Sequence, residues 1–415
     1  MKKFHNKKIL PFYIKGLVSG KFTLKQAADS TGYNWQYLSR LKKKYLQFGN
    51  EAFVHGNVDK TPVNKISQSI RDKVAMYYSS ECSDVNFKYF QELVEEFIKI
   101  KISYPTLINI LHEYGQVSPR KHKSKSIKKI HPPRPRRANE GDMLQIDGTP
   151  YPWFSWAGDN KYYTIQASID DATGKLTAMY MTENECLYGY MEMLRRSIDR
   201  YGIPREIYSD RAGVFCFTPR NKQNLDIIEQ LGGVHEKHTQ WQRILDTLSI
   251  RQILAWSPQA KGRVERMWQT VQGRLPHAFK SAKIKTVKAA NKYLETWIDY
   301  FNSKFSVKAS DDTTFYRPND CDLDSILCAR FPRRTNVNGI LSFHGYKMQV
   351  LEAKYVACKQ ACVCISERGL SIEIDGKYFP CRILSELDEG PDSEGQAIKK
   401  ILYDYLYRDC KQVSA

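Results

Sequence analysis

MLQIDGTPYPWFSWAGDNKYYTIQASIDDATGKLTAMYMT, residues 143–182, is the stretch on which the fold turns. It holds three extended runs, MLQIDGTPYPWF, YYTIQASIDD and LTAMYMT, separated by turn-forming AGDN and DATGK. A helical pattern follows over 184–201, with Leu187, Met191, Leu194 and Ile198 at helical spacing and Gly202 as the stop. REIYSD reads as a short fourth strand and RQILAWS as a fifth, with helical segments over 221–231 and 239–248 between them. One long helix is expected from Pro258 to Phe279, and another over 287–305. Residues 141–305 are therefore expected to form an α/β core on a mixed five-stranded sheet, three antiparallel strands extended by parallel ones.

That order, three strands, then helix and strand alternating, is the order of an RNase H-like layer. Three acids stand out within it: Asp147 in MLQIDGT, Asp210 in EIYSDRAG and Glu265 in SPQAKGRVERMWQ. Two strands and one helix delivering carboxylates to one place suit two divalent cations, Mg2+ with Mn2+ as a substitute, held against a phosphodiester. Each acid alone has a plainer reading, as a turn residue, a strand end, or a solvated helix position paired with Lys261. Asp147, however, follows the apolar Ile146 inside a strand, where an unpartnered acid is costly. Asp170 or Asp171 is the substitute should Asp147 not serve. Ser257 and Pro258 mark a helix start, and Lys261 shares a face with Glu265. Arg263 and Arg266 extend a basic surface suited to DNA phosphates, and Trp268 reads as packing.

The net charge of +19 is uneven: residues 1–140 carry 27 Lys/Arg against 11 Asp/Glu, leaving the rest nearly neutral. Such a front end points to double-stranded DNA. Residues 1–60 read as a helix-turn-helix domain. Thr23 caps its first helix, Gly32 lies in the turn, and Asn34 caps a second helix offering Gln36, Arg40, Lys42, Lys43 and Lys44 to the major groove. Residues 61–118 read as a second helical unit, a further helix-turn-helix or winged helix, with Ser103 as an N-cap. Residues 119–140 form a basic, proline-containing linker whose Arg120, Lys121, Lys128, Lys129, Arg136 and Arg137 would track a phosphate backbone. After a linker at 306–334, short alternating runs over 335–385 suggest a small β-barrel, followed by a tail at 386–415. The ten cysteines are scattered without zinc-ligand spacing, so reduced thiols in a cytoplasmic protein are expected. Cys358, Cys362 and Cys364 read as buried thiols rather than zinc ligands. No run approaches the ~18 apolar residues of a membrane span.

QIDGTPYPWF, YSDRAGVF and SPQAKGRVERMWQTVQGRLP together resemble the three catalytic motifs of bacterial insertion-sequence transposases with a retroviral-integrase-type core, in an ISNCY-like group. The resemblance implies that Asp147, Asp210 and Glu265 form an Asp-Asp-Glu triad. It further implies cleavage at element ends, joining of the freed 3′-hydroxyl to target DNA, a homo-oligomer assembled on two ends, and a cytoplasmic, nucleoid-associated bacterial protein. Here 54 residues lie between Asp210 and Glu265, where many members of the family have about 35, and the surplus fits 216–243. Two other readings use the same residues: a metal-dependent nuclease without strand transfer, and a non-catalytic DNA-binding regulator. The fold class expected overall is multidomain: all-α helix-turn-helix units, a central α/β RNase H-like core, and a C-terminal small β-barrel.

Overall fold

The structure, a computed structural model, describes residues 8–54, 65–119, 135–216, 239–255, 262–352, 356–384 and 393–409. The chain divides into two compact units, 1–74 and 75–415. In the first, α1 (Leu10–Val18), α2 (Leu24–Thr31) and α3 (Trp35–Phe48) enclose Ile14, Leu17, Ala27, Leu38 and Leu41. Local chemistry sets the corner between α2 and α3. Thr23 and Gln26 form a capping box, and Gly32 ends α2 in the left-handed region at φ 75°. Asn34 then opens α3 by accepting the Gln36 N–H at 2.9 Å.

The second unit begins within α4 (Gln68–Glu81) and continues through α5 (Phe87–Leu93) and α6 (Tyr104–Glu113). Ser103 caps α6, whose Leu107, Ile110 and Leu111 are buried. The pattern after Phe87 does not stay α-helical: it widens into a π-turn, Val94–Ile98, and stops at Lys99 with φ 61°.

The mixed five-stranded sheet is built from β1 (Met143–Tyr151), β2 (Tyr163–Asp170), β3 (Leu176–Thr182), β4 (Glu206–Ser209) and β5 (Arg251–Leu254), in the order β3-β2-β1-β4-β5. β1 is central, antiparallel to β2 and parallel to β4. Strand alternation, shifted by an irregularity between β2 and β3 at Ser168/Ile169, sends Leu144, Ile146, Ala178 and Ile207 to one face, under α7 (Leu187–Tyr201) and α8 (Gln240–Thr247). Ile165, Ala167, Leu176 and Met179 go to the other, under α9 (Gly262–Gln272), α10 (Leu275–Ser281) and α11 (Val287–Phe305). The single helix expected up to Phe279 is thus two. Pro276 has no N–H for the Gln272 carbonyl, so the chain breaks at Gly273–Arg274. The Ser257–Pro258 helix start lies outside the described residues.

The α4–α6 module docks on the far side of α10 and α11. There Glu92 takes ion pairs from Arg274 at 2.7 Å and Lys304 at 2.9 Å, and the Asn86 amide donates to the Gly273 carbonyl.

The C-terminal part is a six-stranded antiparallel sheet: β6 (Ala329–Arg334), β7 (Ile340–Phe343), β8 (Tyr346–Val350), β9 (Gln360–Ser366), β10 (Gly369–Ile374) and β11 (Lys377–Leu384), in the order β6-β9-β10-β11-β8-β7. Its edges nearly close, with Arg333 of β6 donating to the Ser342 carbonyl of β7 at 3.2 Å. Two hairpins turn on residue pairs with both φ positive, His344-Gly345 (51° and 81°) and Asp375-Gly376 (50° and 78°), the geometry that matches strand twist. β6 begins before residue 335, in the arginine-rich ARFPRR. α12 (Ser393–Leu402) and a π-turn, Tyr403–Tyr407, pack on this sheet and join its core to that under α7. The nine described cysteines are free; Cys364 is buried, Cys362 half-buried and Cys358 exposed. Among the described residues no helix is long and apolar enough to cross a membrane.

Candidate active site

Asp147 lies on the central strand, half-buried, one residue after the fully buried Ile146. Because Asp147 pairs with Ala167, it shares the face covered by α9. That helix reaches it with matching spacing. Trp268 Nε1 donates to Asp147 Oδ2 at 3.0 Å, and Gln272, one turn on, donates to Thr149 Oγ1 at 3.1 Å. An i, i+4 pair on the helix meets an i, i+2 pair on the strand. Trp268 is therefore packing, as its burial shows, and also holds the carboxylate.

Asp210 follows the last residue of β4 and is half-buried; its Oδ1 accepts the Ala212 N–H at 3.0 Å, turning the chain away from the sheet. β1 and β4 are in parallel register, with Gln145 opposite Tyr208. Asp147 and Asp210 each follow that last pair by two residues, toward the carboxyl ends of neighbouring parallel strands. Both charges act on one buried group, the Tyr190 hydroxyl of α7. Glu265 stands in the first turn of α9 and is exposed. It is tied to the other two through its helix, since Trp268 lies three residues on.

Asp170 and Asp171 are structural. Asp170 is fully buried and accepts from the Gly141 N–H at 2.9 Å and from the Thr173 N–H and hydroxyl at 2.8 Å each. Burial outweighs these bonds and raises its pKa. Asp171, equally buried, accepts from the Arg137 N–H at 2.8 Å and from Gln145 Nε2 at 2.6 Å, and is ion-paired with Arg263. Neither acid substitutes for Asp147.

The donors at hand are all carboxylates, hard oxygen ligands suited to Mg2+ or Mn2+ rather than to a thiol-seeking metal. Among the described residues, no three His, Cys, Asp or Glu side chains form a ready metal cage. That is compatible with magnesium, which commonly takes one or two protein carboxylates and completes its shell with water and substrate phosphate.

Comparison with known proteins places the chain in a family. No family model matches it. It is 30% identical over 356 residues to the transposase for insertion sequence IS1202 of Streptococcus pneumoniae, covering 79% of this chain and 74% of that one. The chain belongs to the insertion-sequence transposases. The y4bF protein of Sinorhizobium fredii is 27% identical to it over 339 residues, 81% of this chain and 71% of that one. Among solved structures, the magnesium-bound catalytic core of HTLV-2 integrase is 17% identical, with a TM-score of 0.28 over 39% of this chain and 87% of that one. A chain of the simian T-cell lymphotropic virus intasome is 14% identical, with a TM-score of 0.29 over 75% of this chain and 99% of that one. Likenesses that loose carry no weight for the site, which stands on its own geometry.

In this transposase the DNA-contact residues singled out by sequence fall into four sets. Gln36, Arg40, Lys43 and Lys44 are exposed on α3 and Lys42 is half-buried there. Arg136, Arg137 and Arg263 are engaged within the core. Arg136 donates to the Asp171 and Ala172 carbonyls, and Arg137 pairs with Glu206 at 2.7 Å, while Arg263 holds Asp171. Arg266 is exposed beside Glu265. Arg120, Lys121, Lys128, Lys129 and Lys261 lie outside the described residues, as does most of 216–243.

Two residues escaped the sequence reading. Glu185, just before α7, is 7% exposed, and the Tyr190 hydroxyl donates to its Oε1 at 2.6 Å. The only hint in sequence was Gly148 directly after Asp147. A Cβ there would meet Glu185 and Tyr190 oxygens at 2.9 Å.

Proposed function

We propose that this insertion-sequence transposase cuts DNA at the ends of its element and joins the freed 3′-hydroxyl to target DNA, using Asp147, Asp210 and Glu265. The reading is supported chiefly by one observation: Asp147 and Asp210 each follow the last paired residues of adjacent parallel strands, and the helix that carries Glu265 reaches Asp147 through Trp268. In it, the sheet and the α9–α11 layer act as an RNase H-like core. Asp147, Asp210 and Glu265 would hold the divalent ions. Ions held there supply the activation of the attacking oxygen and the stabilisation of the departing one. The protein's part is positioning. The rigid β1 backbone and the Trp268 indole fix Asp147, and the Ala212 amide fixes Asp210. Arg266, exposed next to Glu265 in the chain, would hold a DNA phosphate.

α2 and α3 act as a helix-turn-helix that reads the element end with Gln36, Arg40, Lys42, Lys43 and Lys44. Arg120, Lys121, Lys128 and Lys129 follow the phosphate backbone, and the six-stranded sheet serves as a small β-barrel contacting DNA. Two copies pair two ends in the bacterial cytoplasm. The test is a reaction of purified protein with labelled element ends and Mg2+. Wild type is expected to give joined products, and E265Q neither nicked nor joined DNA. Joined products from both proteins would refute the site, and nicks without joining from wild type would leave only a nuclease.

A further inference from the structure

A strip of positive charge lies on the helical layer that carries Glu265. Between Glu265 and Glu295 the chain holds seven Lys or Arg and no acid, although residues 141–415 as a whole are nearly neutral. Two of the seven are taken up by protein groups: Arg274 pairs with Glu92, and Lys280 donates to the Glu81 carbonyl at 2.7 Å. Lys283 and Lys285, in the turn from α10 to α11, and Lys288, in the first turn of α11, are exposed. None of these three has an acidic partner among the described residues.

The turn has a fixed shape. Ile284 is buried and its N–H donates to the Phe279 carbonyl at 2.9 Å, while Lys283 on one side of it adopts φ 55°. Lys285 on the other side meets the tip of the β1–β2 hairpin, its Nζ 5.7 Å from the centre of the Trp156 ring. The same tip carries Lys161 and Tyr162, the latter 66% exposed. Asp159, the acid of the tip, is occupied by the Lys161 N–H at 3.0 Å and the Tyr163 hydroxyl at 2.8 Å. The strip also has a definite place relative to the acids. α9 steps from Trp268 at Asp147 to Gln272 at Thr149, and β1 runs on to Tyr151 before the tip. At a strand's rise per residue, Tyr151 stands about 14 Å beyond Asp147, roughly four nucleotide steps of one DNA strand.

We infer that Lys283, Lys285 and Lys288 hold the phosphate backbone of a duplex whose reacting phosphodiester lies at the three acids. The inference rests on the reading of those acids as the reaction site. A surface that is merely soluble mixes both signs. A run of one sign, beside a site that must receive a polyanion, suits a phosphate backbone. That duplex is either the element end or the target, and the test separates them.

The full chain is compared with K283A/K285A/K288A and with the charge-keeping K283R/K285R/K288R on two DNAs. One is a labelled element end; the other is an unrelated duplex offered to protein already loaded with ends. Affinity is followed against salt concentration, each phosphate contact contributing about 0.9 to the slope of log affinity on log salt. The alanine variant is expected to lower that slope by about two to three units on at least one duplex, with an unchanged melting temperature, and K285A alone by about one. The arginine variant should keep the wild-type slopes. A loss on the element end assigns the strip to that DNA, and a loss on the unrelated duplex assigns it to the target. Wild-type slopes on both duplexes would overturn the inference, as would a change in the protein's oligomeric mass alone, which marks a contact between copies. D147N keeps the two failures apart. If it joins ends as wild type does, the site reading itself is wrong. If it is inactive while the alanine variant keeps both slopes, only the role of the strip is wrong.

Discussion

At the scale of single residues, the site depends on groups that hold the acids. Trp268→Phe keeps most of the packing under α9 but removes the N–H that Asp147 accepts. It should cost about 2 kcal/mol, the range for a hydrogen bond to a charged partner, and lower strand joining more than tenfold; urea unfolding and product gels read the two. Gly148→Ala drives a methyl into Glu185 and Tyr190. An overpacking penalty of about 1–3 kcal/mol is expected, and a denaturation midpoint equal to wild type would contradict that contact. The three acids were legible in sequence as separate candidates because strand ends and a helix start can be recognised locally. How they stand to one another was not legible, because it depends on the β1–β4 register and on where α9 lies across the sheet. The structural roles of Asp170, Asp171, Arg137 and Arg263 were hidden for the same reason: their distant partners lie 26 to 92 residues away.

Elements show the same division between local and distant causes. Thr23, Gly32 and Asn34 act where sequence puts them, since caps and left-handed turns are decided within four residues. Less was readable where packing overrides periodicity, as in the π-turn at Val94–Ile98 and the start of β6 in ARFPRR. The docking of the α4–α6 module, invisible in sequence, turns on Glu92. Burial alone would raise its pKa, but Lys304 and Arg274 hold it below the ordinary 4.5. A lowered acid stabilises the fold fully above its ordinary value, and that contribution fades as pH falls through the folded value. Amide exchange in α5 should therefore rise in acid before the central sheet opens. Glu92→Gln should remove that pH dependence, at a cost of about 2 kcal/mol for leaving the buried Arg274 under-paired.

For the whole molecule, charge and chemistry are expected to separate. The +19 excess is concentrated before residue 141, while the three acids lie on the sheet and on α9, which follow it. Lys43→Ala and Lys44→Ala should each weaken DNA binding at all sequences and lower the salt slope by about one unit, leaving Mn2+ binding intact. The three acids proposed to hold ions should behave in the opposite way. The most direct measurement compares wild type with Asp210→Asn in Mg2+, at protein concentrations giving equal occupancy of a labelled element end by gel shift. Joining of that end to a target plasmid is then counted. The account expects D210N to bind the end as wild type does and to join it at least a thousandfold more slowly. Equal joining by the two proteins at equal occupancy would contradict it.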